Sequence, residues 1–196
     1  MNLCYNVKGD YMNINVGVSN RHVHLTRKDL DILFGKDYEL NKKVDVNQPG
    51  QFAAIETVII KTDKDKIENV RILGPVRDYT QVELSKTDSY KLGINPPLRD
   101  SGDLENSEVV TIIGPKGQIT KACCILVRRH IHVTLQDKEK YKLPDIVSVR
   151  IKGDRGGIMS EVYVKTNAES YFEMHIDTDE ANAFNLKNND EVEIIY

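Results

Sequence analysis

Histidine is the most selectively placed residue in this chain. There are five, and four fall in two near-copies, Asn20-Arg21-His22-Val23-His24 and Arg128-Arg129-His130-Ile131-His132. Side chains at i and i+2 of an extended chain project to one face, so each copy offers two imidazoles side by side. The fifth, His175, lies in a third strand-like run. Zinc accepts neutral imidazole and carboxylate, and its catalytic sites keep a position open for water or substrate. Five histidines with one carboxylate suit two metals with three protein ligands each. A lone His-x-His arises by chance on exposed strands. Two of them, each ahead of a capped helix in a chain with one further histidine, do not read as idle strand ends.

Glu83 is the best carboxylate candidate, being mid-strand between Val82 and Leu84 on the polar face. The plain alternative is an exposed glutamate on a half-buried strand. Asp177 could accept from an imidazole N–H, as carboxylates often do beside metal-bound histidines, or simply cap a helix. Arg77, just after Gly74-Pro75-Val76, sits where a turn could aim a guanidinium at an anion; arginine binds phosphate bidentately and stays charged. Its alternative is a surface arginine paired with Asp78. Arg21 and Arg129 point away from the histidine faces if their strands are regular. Cys123 and Cys124 read as core residues, because a nucleophilic cysteine would want a histidine partner. Metals beside an arginine imply anion chemistry. The residues alone do not choose among phosphoryl transfer, ester or thioester hydrolysis, and acyl transfer to phosphate.

The elements that position these groups are short strands. Met12 to Ser19 alternates and leads into the first His-x-His; Thr26 with Asp29 then caps a helix that Gly35 stops. Thr57–Ile60, Asn69–Leu73 and Thr80–Ser85 read as strands, with Gln81, Glu83 and Ser85 on one face. Thr87 to Leu92 is a short helix closed by Gly93. Val109–Ile113 and Ile119–Val127 make a hairpin through Gly114-Pro115-Lys116-Gly117. Thr134 with Asp137 repeats the first cap. Strands return at 146–151, 158–165, 171–176 and 191–195, with a last helix over 177–184. His175-Ile176-Asp177-Thr178 reads as a third, degenerate copy of the His-x-His unit. Many short strands with regular turns predict a mainly β protein of small barrels or sandwiches, and the duplication predicts two. The approximate division is 1–115, with the first His-x-His and Glu83, and 116–196, with the second and His175; segments could be exchanged between them.

Composition narrows the partners. Net charge is -3 over 196 residues with both signs interspersed, which gives no reason to expect nucleic acid or an anionic membrane. Three cysteines, two adjacent, suggest no disulfide framework and suit a reducing cytosol. The start lacks a signal-peptide pattern, Met1 to Tyr11 shows no apolar stripe, and no run approaches a membrane span. A cytosolic protein is expected.

Further motifs complete a pattern: Val16-Gly17-Val18-Ser19-Asn20-Arg21-His22-Val23-His24-Leu25-Thr26, Gln48-Pro49-Gly50-Gln51-Phe52-Ala53-Ala54, Gly74-Pro75-Val76-Arg77, Thr80-Gln81-Val82-Glu83-Leu84-Ser85, Arg129-His130-Ile131-His132 and Met174-His175-Ile176-Asp177-Thr178-Asp179-Glu180-Ala181-Asn182-Ala183. In this order, from about Asn15 to the C-terminus, the chain resembles the PduL-type phosphate acyltransferases, or phosphate propanoyltransferases. The resemblance implies two β-barrel domains capped by short helices, a di-zinc site and a homodimer. It implies interconversion of acyl-CoA plus phosphate with acyl phosphate plus CoA. Carried over, His22, His24 and Glu83 hold one zinc, His130, His132 and His175 the other, and Arg77 binds phosphate as a catalytic residue. Asn20 stands where relatives often carry alanine. The resemblance allows location inside a bacterial microcompartment; packaged members often have an amphipathic N-terminal extension, and the polar Met1 to Tyr11 departs from that pattern, so a freely cytosolic enzyme is expected beside it. Two other classes stand beside the transferase: a di-zinc thioesterase or phosphoesterase, and a metal-binding structural module.

Overall fold

A computed structural model describes residues 12–196. Cys4 and the polar stretch Met1 to Tyr11 lie outside the described residues. The elements run, in order, β1 (Met12–Ser19), β2 (His22–His24), α1 (Arg27–Phe34), β3 (Lys42–Asp45), β4 (Phe52–Lys61), β5 (Lys66–Gly74), β6 (Gln81–Glu83), α2 (Lys86–Leu92), β7 (Leu98–Arg99), β8 (Glu108–Ile113), β9 (Gln118–Val127), β10 (His130–Thr134), α3 (Leu135–Lys140), β11 (Ile146–Ile151), β12 (Gly157–Asn167), β13 (Glu173–Asp177), α4 (Thr178–Phe184) and β14 (Glu191–Ile195). Strands dominate, and the helices are short, as expected. β3 and β7 were not anticipated. All four residues of Lys42–Asp45 are exposed, so no burial alternation marks them, and Leu98–Arg99 is two residues long.

The strands close two six-stranded barrels. One runs β1-β13-β10-β12-β11-β14 and back to β1. The other runs β9-β6-β2-β5-β4-β8 and back to β9. The two circuits are the same when each strand is matched by its place relative to a His-x-His strand. β2 lies parallel to β5 and antiparallel to β6; β10 lies parallel to β12 and antiparallel to β13. The run containing His175 is therefore the counterpart of β6. It is not a third copy of the His-x-His unit, because its pairing partner is a His-x-His strand.

Each strand ahead of a His-x-His closes the barrel that the His-x-His strand itself does not join: β1 precedes β2 but pairs with β14, and β9 precedes β10 but pairs with β8. The compact units follow that exchange. One comprises the described residues up to Val18 with Arg129–Ile176 and Glu180–Tyr196, the other Ser19–Arg128 with Asp177–Asp179. This differs from a division at 115/116, which falls in the turn of the β8–β9 hairpin, whose strands pair throughout, for example Val110 with Lys121.

The interiors follow from period two. Val23, Ile60, Val70, Ile72, Val82, Ile112 and Cys124 are buried in one barrel, capped by Leu30 and Leu33 of α1. Val16, Ile131, Val133, Val149, Val162, Met174 and Ile194 are buried in the other. Each such side chain contributes about 1.5–3 kcal/mol of burial, so the frame around each His-x-His strand is rigid. Thr26 and Thr134 are the N-caps of α1 and α3, accepting from the N–H of Asp29 and Asp137, as their spacing predicts. Among the described residues no helix is long and apolar enough to cross a membrane.

Candidate metal centres

The first centre is built on β2. Val23 enters the core, so His22 and His24 turn to the barrel's outer face, where both are still buried. The antiparallel register sets Glu83 directly opposite His22, and Gln81 opposite His24. Residues directly opposite on one face are close enough to interact, and here they converge. Glu83 Oε2 is 3.1 Å from His22 Nε2, and Oε1 is 3.7 Å from His24 Nε2. His22 Nδ1 is 2.8 Å from the Asn20 carbonyl. That oxygen can only accept, so Nδ1 carries a proton, and Nε2 is the nitrogen turned to Glu83.

Glu83 is itself held. Its Oε1 accepts from Gln81 Nε2 at 2.6 Å and from Ser101 Oγ at 3.2 Å. Gln81 Oε1 in turn accepts from the Gly102 N–H at 2.7 Å. Burial and the neighbouring His22 push the His24 pKa down to about 3, so this ring is neutral. Burial also pushes the His22 pKa down, but the charge and hydrogen bond of Glu83 outweigh it and the net shift is upward. A half-buried carboxylate thus draws positive charge onto this spot. Nδ1 of His24 is buried, and a contact with the Leu73 backbone works weakly against the downward shift.

The second centre repeats this register on β10 and β13: His130 lies opposite His175, and His132 opposite Glu173. Nε2 of His130 and Nε2 of His132 are 3.0 Å apart, with the rings at 84°. Two imidazole nitrogens that close must share a proton or a cation. His132 Nδ1 lies 3.1 Å from the side-chain amide nitrogen of Asn167. His175 Nε2 is 2.8 Å from Glu173 Oε2.

In each triad one potential ligand atom per residue lies within 4.8 Å of the others: His22, His24 and Glu83 in one, His130, His132 and His175 in the other. Nitrogen and carboxylate donors in threes, converging on one point, fit a zinc-like divalent cation with an open position. Each triad is complete within one compact unit.

The arginines ahead of the histidines are structural, and in matching ways. Arg21 Nε pairs with Asp88 of α2 at 2.8 Å, and Arg129 Nε with Glu180 of α4 at 3.0 Å. Each acid stands five residues beyond the third member of its triad, so one ion pair ties each His-x-His strand to the helix that follows its partner strand.

Arg77 is not paired with Asp78. Its backbone N–H donates to the Leu25 carbonyl at 2.9 Å. Nη1 donates to the Tyr79 hydroxyl at 2.9 Å and Nη2 to Gln51 Oε1 at 3.1 Å. Both side-chain partners are neutral, and among the described residues no carboxylate forms an ion pair with it. Its charge lowers the pKa of both His22 and His24, which places it near the first triad. An anchored guanidinium with donors to spare and no counter-charge can hold an anion.

Cys123 and Cys124 are buried in the barrel core. Burial raises the Cys123 thiol pKa to about 12 and raises that of Cys124 as well, so neither is a thiolate nucleophile. Gln51, Tyr79, Gln81, Ser101 and Glu173 were not picked out from the sequence as site residues. Gln81 and Glu173 carried a usable signal, their i, i+2 spacing to Glu83 and His175.

A family model described as phosphate propanoyltransferase matches residues 15–187. A phosphate propanoyltransferase of Thermotoga maritima is 51% identical over 184 residues, covering 92% of this chain and 88% of the relative. One from Rhodopseudomonas palustris is 50% identical over 188 residues, covering 94% and 83%. One from Priestia megaterium is 51% identical over 171 residues, covering 86% and 79%.

Proposed function

The chain belongs to the phosphate propanoyltransferase family, and from that premise we propose that it is a phosphate acyltransferase. It interconverts a short-chain acyl-CoA plus phosphate with the acyl phosphate plus CoA, using two zinc ions per chain. His22, His24 and Glu83 hold one and His130, His132 and His175 the other. The observation that carries this reading is Arg77: a guanidinium fixed by Tyr79 and Gln51, without a carboxylate partner, whose field reaches His22 and His24. When bound, zinc supplies Lewis acidity and fixed positive charge.

Arg77 binds inorganic phosphate bidentately and holds one of its oxygens toward the thioester carbonyl. Positioning an anion this way replaces an encounter in solution by an oriented attack. That oxygen forms the new bond to the carbonyl carbon, the carbon–sulfur bond breaks, and CoA leaves as its thiolate. The remaining N–H groups of Arg77 can also stabilise charge that develops on the carbonyl oxygen. No acyl-enzyme is required, in keeping with the buried, protonated state of Cys123 and Cys124. Gln81 and Ser101 keep Glu83 oriented, and the Asn20 carbonyl keeps the proton of His22 on Nδ1.

The test is CoA release from acetyl-, propanoyl- and butanoyl-CoA with and without phosphate. The transferase reading expects release only with phosphate, in step with acyl phosphate. Equal release without phosphate would establish a thioesterase instead.

A further inference from the structure

The two centres differ in composition but share a register, and that register exposes a residue outside both triads. Opposite His24 stands Gln81; opposite His132, at the equivalent place, stands Glu173. Each lies two residues before the third member of its triad and hydrogen-bonds to it: Gln81 Nε2 to Glu83 at 2.6 Å, Glu173 Oε2 to His175 Nε2 at 2.8 Å. Glu173 is 2% exposed, unusual for a glutamate unless it is engaged. Its space is provided from the neighbouring strand. A Cβ on Gly17 would stand 3.0 Å from Glu173 Cδ and Oε2 and 3.0 Å from His175 Cδ2, so the pair fits because position 17 has no side chain.

We propose that Glu173 is the positioning carboxylate of the three-histidine centre. It accepts the Nε2 proton of His175, fixing the tautomer and the ring plane and leaving the lone pair on Nδ1 for the metal. An ionised carboxylate can only accept, and a metal-bound histidine characteristically donates its other ring N–H to such a group. The pairing also equalises charge. The first centre has its carboxylate, Glu83, as a member of the triad and a neutral amide, Gln81, behind it. The second has three neutral rings in the triad and its carboxylate behind them. Each centre thus sets one negative charge against a divalent ion.

This inference rests on the proposed metal occupancy, and its test reads the metal directly. Zinc-loaded wild-type protein is mixed with a chromogenic chelator, and the transfer of zinc is followed with time. Two phases are expected, and the one belonging to the three-histidine centre is identified by its loss in His175→Ala. Glu173→Ala should speed that phase ~10- to 100-fold and leave the other within about twofold. Glu173→Gln keeps an acceptor oxygen but not the charge, and should fall between wild type and Glu173→Ala, a graded rescue that a purely packing role would not give. Gly17→Ala reaches the same pair from β1 and should speed the same phase, which keeps the test decisive if Glu173→Ala folds poorly. Nitrogen NMR of labelled histidine in the zinc-loaded protein should show His175 bound through Nδ1. Zinc transfer indifferent to Glu173 and Gly17, or binding through Nε2, overturns this inference and leaves the proposed function standing. A wild-type protein that holds no zinc overturns both.

Discussion

Arg77 donates from Nη1 to the hydroxyl of Tyr79 at 2.9 Å, so the guanidinium is anchored by a neutral group and keeps its full charge for an incoming anion. Arg77→Ala should raise the phosphate KM by about 10- to 100-fold, in line with the loss of a charge-assisted bidentate contact worth roughly 1.5–3 kcal/mol. Arg77→Lys should recover only part of this, since lysine lacks the planar fork. Tyr79→Phe should cost less than Arg77→Ala. Initial rates at varied phosphate check all three; an unchanged phosphate KM in Arg77→Ala removes the residue from the site.

His24→Ala and His132→Ala should each abolish activity, by about 10³-fold or more, because a two-ligand centre holds zinc poorly. Each variant should retain its far-ultraviolet circular dichroism, since both histidines lie on outer barrel faces and the core residues Val23 and Ile131 remain. Elemental analysis should show about one zinc fewer per chain. Full zinc content in either variant would contradict the ligand assignment.

Chelation should inactivate the enzyme reversibly. Dialysis against a strong zinc chelator should take activity below about a tenth, and added zinc should restore it. Activity that survives complete removal of metal would show that the triads serve only stability.

Cys123→Ala should leave kcat within about threefold while lowering stability by about 1–2 kcal/mol, the usual cost of a small core change. Denaturant titration and steady-state rates on the same preparation separate the two. A collapse of kcat without loss of stability would revive a covalent acyl-cysteine route.

Acid sensitivity in the barrel that carries His22, His24 and Glu83 should be traceable to Asp29. Burial pushes its pKa up, but hydrogen bonds from Thr80 and Lys121, the Lys121 charge and the Thr26 contact outweigh this and hold it below the usual carboxylate range. Lys121 Nζ is 2.9 Å from Asp29 Oδ2, and Thr80 Oγ1 donates to the same oxygen. A depressed carboxylate stabilises the fold above its unfolded pKa, near 3.9, and that stabilisation is lost as pH falls through the folded pKa. Asp29→Asn should therefore cost about 2 kcal/mol at pH 7, and the gap to wild type should shrink in strong acid. Urea unfolding at pH 7 and pH 2.5 measures both; a gap of equal size at the two pH values refutes the charge as its origin.

Much of the first centre was legible because it depends on local spacing. His22 and His24 share a face by strand period alone, and Glu83 announced itself as a charge between two core residues. The partners of Glu83 were legible only through the family resemblance and not from the residues themselves, since which residues lie opposite on β2 is a matter of register between segments some sixty residues apart. The same holds for Glu173: its spacing to His175 was visible, but its place opposite His132 depends on a pairing between β10 and β13. Arg77 was placed by its turn, while Gln51 and Tyr79 were not, because both reach it through side-chain geometry. An exchange of segments between the barrels was expected, but which strands are exchanged was not legible. β1 alternates clearly, yet alternation does not say which barrel a strand completes.

The pairing of β1 with β14, Met12 opposite Ile194, also bears on the order in which the molecule can assemble. The barrel carrying His22, His24 and Glu83 is made from strands lying between His22 and Val127, so a growing chain can close it before β14 is translated. The other barrel needs β1, made long before, and cannot shut until β14 emerges. Contacts of such long separation form slowly, and an unpaired strand is a template for wrong partners while it waits. Asn13 and Asn15, which alternate with Ile14 and Val16 along β1, are of a type depleted in strands. The strand translated ahead of the first centre is thus among the last to find its place.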